Sequence, residues 1–183
     1  MKTLFIKYKS VLQFILTFLL VYSVLSFGYK YYLSASIGSQ FYPDYVTNIV
    51  ASQTEYLLNS IGYSAQVLMH QQEPSMKLIL EGKYIVRIIE GCNGISVIIL
   101  FVSFVIAFSG KFKITVLFLV LGSVIIYTVN LFRIVLLTLG LYYYPWHGEF
   151  LHTVIFPAVI YGIVFLLWML WVNKFSNLCK KNE

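Results

Sequence analysis

Three polar side chains lie where long apolar runs begin or end, and their types are those of a nucleophile, a fixed cation and a base. Cys92 stands in Glu90-Gly91-Cys92-Asn93-Gly94, directly before an apolar run. A helix starting there offers unpaired N–H groups and a partial positive charge, which stabilise a thiolate, the nucleophilic form. Gly91 and Gly94 allow a sharp turn and a close approach by a peptide backbone. Arg133, in Asn130-Leu131-Phe132-Arg133-Ile134, closes another run. It stays charged in any protein site, shares a helix face with Asn130, and can steady an oxyanion or hold a carboxylate. His152, in Trp146-His147-Gly148-Glu149-Phe150-Leu151-His152, opens the last run and can act as a general base near neutral pH.

Each residue also has a plain reading. Cys92 can be a small packing residue. Arg133 can reach lipid phosphates. His152 can be an interfacial histidine, with His147 as its rival for a catalytic role. Glu90, if charged and close, opposes the thiolate. Cys92, His147 and His152 lack the compact spacing of metal ligands, so neither a metal nor another cofactor is expected. No Gly-rich phosphate loop and no G-x-S-x-G motif is present.

The elements that would position these residues are membrane helices. The chain has 183 residues, of which 60% are hydrophobic and only 11% charged. Its mean hydropathy is +0.82. Such a surface suits a lipid bilayer, not water. The net charge of +6 does not point to nucleic acid, because the lysines gather at the ends of apolar runs. That is how topology is encoded in membrane proteins.

About four segments are long enough to span: 11–27, 94–108, 114–131 and 153–172. Lys2, Lys7 and Lys9 precede the first. Lys111 and Lys113 separate the second from the third. Lys174, Lys180 and Lys181 follow the fourth. The positive-inside rule puts all three groups in the cytoplasm, with both termini. The first span has no clear small-x-small cleavage site and reads as a retained anchor ending in a tyrosine belt. Cys179 then falls in the cytoplasmic tail, across the bilayer from Cys92.

Residues 29–91 form an insert on the outer side. Asp44 is placed to cap a helix running to about Ser60, and Gly62 to stop it. Segments 76–80 and 84–89 flank Glu81-Gly82-Lys83 and read as a β-hairpin, with a possible third strand over 65–70. The apolar stretch 134–146 is short for a span and is expected to lie laterally or re-enter near the outer interface. The alternative is one tilted helix from 114 to 141. The expected fold is therefore an all-α integral membrane protein with a small outer cap of helix and β-hairpin. It divides into an anchor (1–28), the insert (29–91), a catalytic membrane core (92–173) and a basic tail (174–183).

The order of Glu90-Gly91-Cys92-Asn93-Gly94 at a span entrance, Asn130-x-x-Arg133-Ile134, and a histidine opening the last span resembles the exosortase/archaeosortase family. The resemblance covers 84–161. The chain also looks like the short, Lys- and Tyr-rich F-type exosortases of Bacteroidota. Asn93 stands where the family more often has serine, and no glycine follows His152 at four residues' distance. The resemblance implies a membrane-embedded cysteine protease or transpeptidase with Cys92 as nucleophile, Arg133 as oxyanion stabiliser and His152 in proton transfer. Asn130, Asn93, Gly94 and Glu90 would support them. It implies a bacterial inner-membrane location with a periplasmic site. It also implies exported substrates whose C-terminus carries a short motif, a transmembrane helix and a basic tail. The competing class is a non-enzymatic assembly factor that binds partner helices. A transporter is disfavoured, since the polar residues gather at one face instead of lining a path.

Overall fold

A computed structural model describes residues 2–36, 43–71, 73–108 and 110–175. Cys179, Lys180 and Lys181 lie outside them. Helix α1 (Lys2–Ser36) is followed by α2 (Tyr45–Ser60) and the strands β1 (Ala65–Met69), β2 (Met76–Leu80) and β3 (Lys83–Ile88). A 3-10 turn (Glu90–Cys92) leads into α3 (Ile95–Ala107) and α4 (Phe112–Tyr143). A second 3-10 turn (Pro145–His147), the short α5 (Gly148–Phe150), a π-helical turn (Leu151–Ile155) and α6 (Phe156–Leu170) complete the order, with a π-helical end at Trp171–Phe175.

Three helices are long and apolar enough to cross a membrane: Val11–Ser36, Phe112–Tyr143 and His152–Lys174. The second expected span, 94–108, is the shorter apolar helix Ile95–Ala107. Its 13 residues rise only about 20 Å. The structure also corrects the reading of 134–146 as a lateral or re-entrant segment. Helix α4 continues unbroken for 32 residues, about 48 Å, because nothing before Pro145 interrupts it. A hydrocarbon core is about 30 Å thick, so the last third of α4 is surplus to a span. That surplus carries the sheet. Helix α1 also runs past Gly28 to Ser36, longer than the expected anchor. One glycine costs a helix only about 1 kcal/mol and does not end it.

Helices α1, α3, α4 and α6 pack through aromatic rings and close backbone approach. Phe14 of α1 meets Phe104 and Phe108 with ring centroids 5.6 and 4.4 Å apart. Gly122 lets Phe101 lie on α4; a Cβ there would come within 2.3 Å of its ring. Phe101, Val105, Ile126, Val164 and Trp171 form the buried centre. The indole of Trp171 donates to the Phe108 carbonyl at 3.2 Å, clamping the turn between α3 and α4.

Residues 43–88, which we call the cap for its place in the chain, show the expected local devices, and a three-stranded sheet joins their helix, so the fold is mostly helical instead of all-α. Asp44 accepts from Val46 N and Thr47 N at 3.0 and 3.1 Å, capping α2. At the other end Gly62 takes φ +97°, Gly62 N donates to Asn59 O and Tyr63 N to Leu58 O, a Schellman motif. The antiparallel sheet has the order β1-β2-β3. Glu81 and Gly82 make the β2–β3 turn with φ of 50° and 74°, both positive as in a type I′ turn. Glu81 is held there by Ser64, whose N–H donates to Oε1 at 2.7 Å. The buried sheet face (Met76, Leu78, Leu80, Val86, Ile88) packs on Val50 and Leu58 of α2 and on Ile134 and Val135 of α4. Tyr63 and Tyr143 share a 2.8 Å hydrogen bond between cap and helix. That bond holds the Tyr63 phenol above its ordinary value.

Candidate active site

Cys92 ends the 3-10 turn between β3 and α3, with its N–H donating to Ile89 O at 2.8 Å. It is half-buried and packs against the core of the cap. The two residues after it fix its position. Asn93 is fully buried, and its side-chain amide donates to Tyr29 Oη at 2.7 Å and to Thr47 Oγ1 at 3.1 Å. Its Oδ1 accepts from Ile95 N at 3.0 Å and so closes the first turn of α3. One side chain thereby ties α1, α2 and α3 together beside the thiol, a reach that a serine lacks. Gly94 has φ +81°, and a Cβ there would lie 3.1 Å from Cγ of Asn130. Both the dihedral and the space call for glycine.

Asn130 is 1% exposed, and its Nδ2 donates to the Cys92 carbonyl at 2.7 Å. Helix α4 therefore holds the cysteine turn through this one residue. Arg133 follows one turn later, about 31 Å along the axis from Phe112. Its Nε is buried and makes no hydrogen bond, and among the described residues it has no ion-pair partner.

His152 lies in the π-helical turn Leu151–Ile155. Pro157 explains the widened turn. It has no N–H for the Thr153 carbonyl, and its ring would clash with that carbonyl in an α-helix. Turns of this kind recur at functional sites. His147 is in the preceding 3-10 turn, and its side chain lies outside the described residues.

One cavity of about 470 Å³ brings Cys92, Arg133 and His152 together. One wall is residues 85–89, from β3 to just past its end; Ile134, Leu137 and Leu141 of α4 and Gly148 complete it. Gly148 allows the last helix to start close against α4, since a Cβ there would fall 2.4 Å from Cδ2 of Leu141. The size suits a small ligand or a few residues of peptide. The surroundings are mostly apolar, with a half-buried, unpaired guanidinium inside. Such a charge favours an anion or a developing oxyanion.

Glu90 is exposed and lines a different cavity, of about 290 Å³, with Tyr29, Lys30 and Ser96 on the α1 side. It does not line the cavity of Cys92. The sequence reading missed Gly148, Tyr29, Thr47 and Arg87. Gly148 carried a signal, a lone glycine beside two polar residues. The partners of Asn93 carried none, since Tyr29 is 64 residues away. Arg87 lines the cavity and pairs with Glu73 at the surface.

Among known proteins, the family model described as Transmembrane exosortase (Exosortase_EpsH) matches residues 3–172. No curated protein and no solved structure matches the chain.

Proposed function

The chain belongs to the transmembrane exosortase family, and we propose that it is a cysteine peptidase and transpeptidase acting at the outer face of a bacterial inner membrane. One observation carries the reading: a thiol, a guanidinium and an imidazole from distant parts of the chain line the same cavity. The many lysines and tyrosines favour the F-type subgroup of Bacteroidota. Both termini lie in the cytoplasm in this reading, where the positive-inside rule puts the lysines. The substrates are exported proteins ending in a short motif, a transmembrane helix and a basic tail. Such a helix, lying beside α4 and α6, presents its outer peptide bond at the level of Cys92.

His152 takes the proton of Cys92, and Sγ attacks the carbonyl carbon of the scissile bond. The carbonyl oxygen becomes an oxyanion and accepts hydrogen bonds from Arg133. Collapse breaks the C–N bond, His152 gives its proton to the leaving amine, and a thioester on Cys92 remains. An acceptor then attacks the thioester, losing a proton to His152, and the Cys92 thiolate departs and is reprotonated. Water as acceptor gives hydrolysis, and an amine gives transpeptidation. Asn130, Asn93 and Gly94 keep the thiol in place and touch no substrate.

The test compares the wild-type chain with Cys92→Ala at equal abundance in the native host, reading the C-termini of membrane proteins by mass spectrometry. Proteins with the tripartite signal should keep it in the variant. Normal trimming in Cys92→Ala would overturn the reading.

A further inference from the structure

We propose that the free edge of β3 binds the substrate as a fourth strand, pairing with the extended segment immediately outside the substrate's transmembrane helix. The inference rests on the peptidase reading above and adds the mode of recognition.

The sheet order leaves β3 at an edge. Among the described residues, its backbone makes no hydrogen bonds beyond the β2 ladder. An edge strand with unpaired N–H and C=O groups is a template for another strand. The cavity lies along this edge and not on a face of the sheet. A face displays every second residue, yet the cavity is lined by the consecutive residues Ile85, Val86, Arg87, Ile88 and Ile89. Leu78 pairs with Val86 and Ile79 with Tyr84, so Ile85 is the extra residue of a bulge. Bulges turn a strand edge and recur beside active sites.

The chain leads from this edge straight to the thiol. Ile88 ends β3, and Cys92 closes the turn that follows. A peptide paired along β3 therefore reaches Cys92 with its backbone already extended. Leu137 and Leu141 give the same cavity an apolar lining, and Gly148 and His152 also line it. Main-chain bonds to β3 would then give affinity, and the apolar lining would select alternate side chains.

Continuity with the thiol narrows the occupant. Arg87 on this wall already pairs with Glu73, and Arg133 faces the same cavity as Cys92, so the edge is left to main-chain pairing with the substrate segment whose scissile carbonyl lies at Cys92.

A photo-crosslinking amino acid tests this in the full-length Cys92→Ala chain, in the membranes of the native host. It is placed singly at Ile85, Arg87 and Ile89 on the edge, at Leu68 and Ile79 elsewhere on the sheet, and at Leu137 and Leu141. Crosslinked peptides are identified by mass spectrometry. The expected result is crosslinks from Ile85, Arg87 and Ile89 to alternate residues of one extended segment next to a transmembrane helix, with none from Leu68 and Ile79. No crosslinks from β3, or crosslinks from Leu137 and Leu141 alone, overturn the edge pairing. Crosslinks from β3 into the substrate's transmembrane helix itself overturn it as well. The peptidase reading is read separately, from whether the wild-type chain shortens the same proteins. Edge crosslinks without shortening leave the binding mode standing and remove the enzyme.

Discussion

The side-chain amide of Asn130 donates to the carbonyl of Cys92 at 2.7 Å, and the same side chain fills the space a Cβ would need at Gly94. A residue deep in α4 thus sets the backbone of the turn that presents the thiol. Asn130→Leu keeps the volume but leaves the Cys92 carbonyl without its donor, at a cost of about 1–3 kcal/mol. The turn should shift, and processing should slow by roughly ten-fold or more for an equal amount of folded protein. Pulse-chase of a processed membrane protein reads the rate. A wild-type rate in Asn130→Leu would remove Asn130 as a positioning residue.

Arg133 separates the catalytic reading from a structural one. A half-buried cation with no carboxylate partner costs desolvation energy that no ion pair offsets. Arg133→Met should therefore leave the thermal midpoint in detergent unchanged or raised, while processing falls roughly 10²–10³-fold, the loss seen on removing an oxyanion donor. A large drop in the midpoint would mean that Arg133 holds the fold together, and the activity loss would then say nothing about an oxyanion.

The contact between cap and helix should weaken at high pH. The Tyr63–Tyr143 hydrogen bond raises the Tyr63 phenol above its ordinary value of 10.0. A raised folded value means a contribution that is complete below the unfolded value and lost as pH rises through the folded one. Hydrogen exchange of β1 and β2 should thus accelerate beyond its intrinsic base-catalysed rate above about pH 10. In Tyr63→Phe that extra acceleration should vanish, and protection at neutral pH should be lower. Identical profiles for the two proteins would show that the bond does not hold the cap.

Much of the cap was legible because its signals are local. Asp44 caps within three residues, Gly62 stops α2 where φ must turn positive, and the Glu81-Gly82 turn sits between two short apolar strands. The same holds for Cys92 at a helix start, and for Asn130 and Arg133 one turn apart. The membrane helices were harder. Lipid-facing and core-facing residues are both apolar, so periodicity does not mark where α4 leaves the bilayer, and only a breaker can end it. Pro145 is that breaker, which is why 134–143 belongs to α4 and not to a lateral segment. Contacts such as Asn93 with Tyr29 and Thr47 come from packing of distant elements, which spacing along the chain does not encode.

His152 owes its position to a proline five residues later. Pro157 denies the Thr153 carbonyl its α-helical partner, and the π-helical turn Leu151–Ile155 accommodates the loss. A π-turn inserts about one residue, which rotates everything before it by roughly 100° relative to a regular α-helix. Pro157→Ala restores the missing N–H and lets the turn relax toward α-helix. His152 would then swing out of the cavity it shares with Cys92 and Arg133. The variant should be as stable as the wild type or more so, since proline inside a helix costs about 3 kcal/mol. Processing should fall by roughly 10²-fold, the low end of what a positioned general base supplies. Thermal denaturation in detergent and pulse-chase processing measure the two effects on the same samples. If Pro157→Ala stays stable and fully active, the π-turn does not position His152, and the base must be sought elsewhere, first at His147.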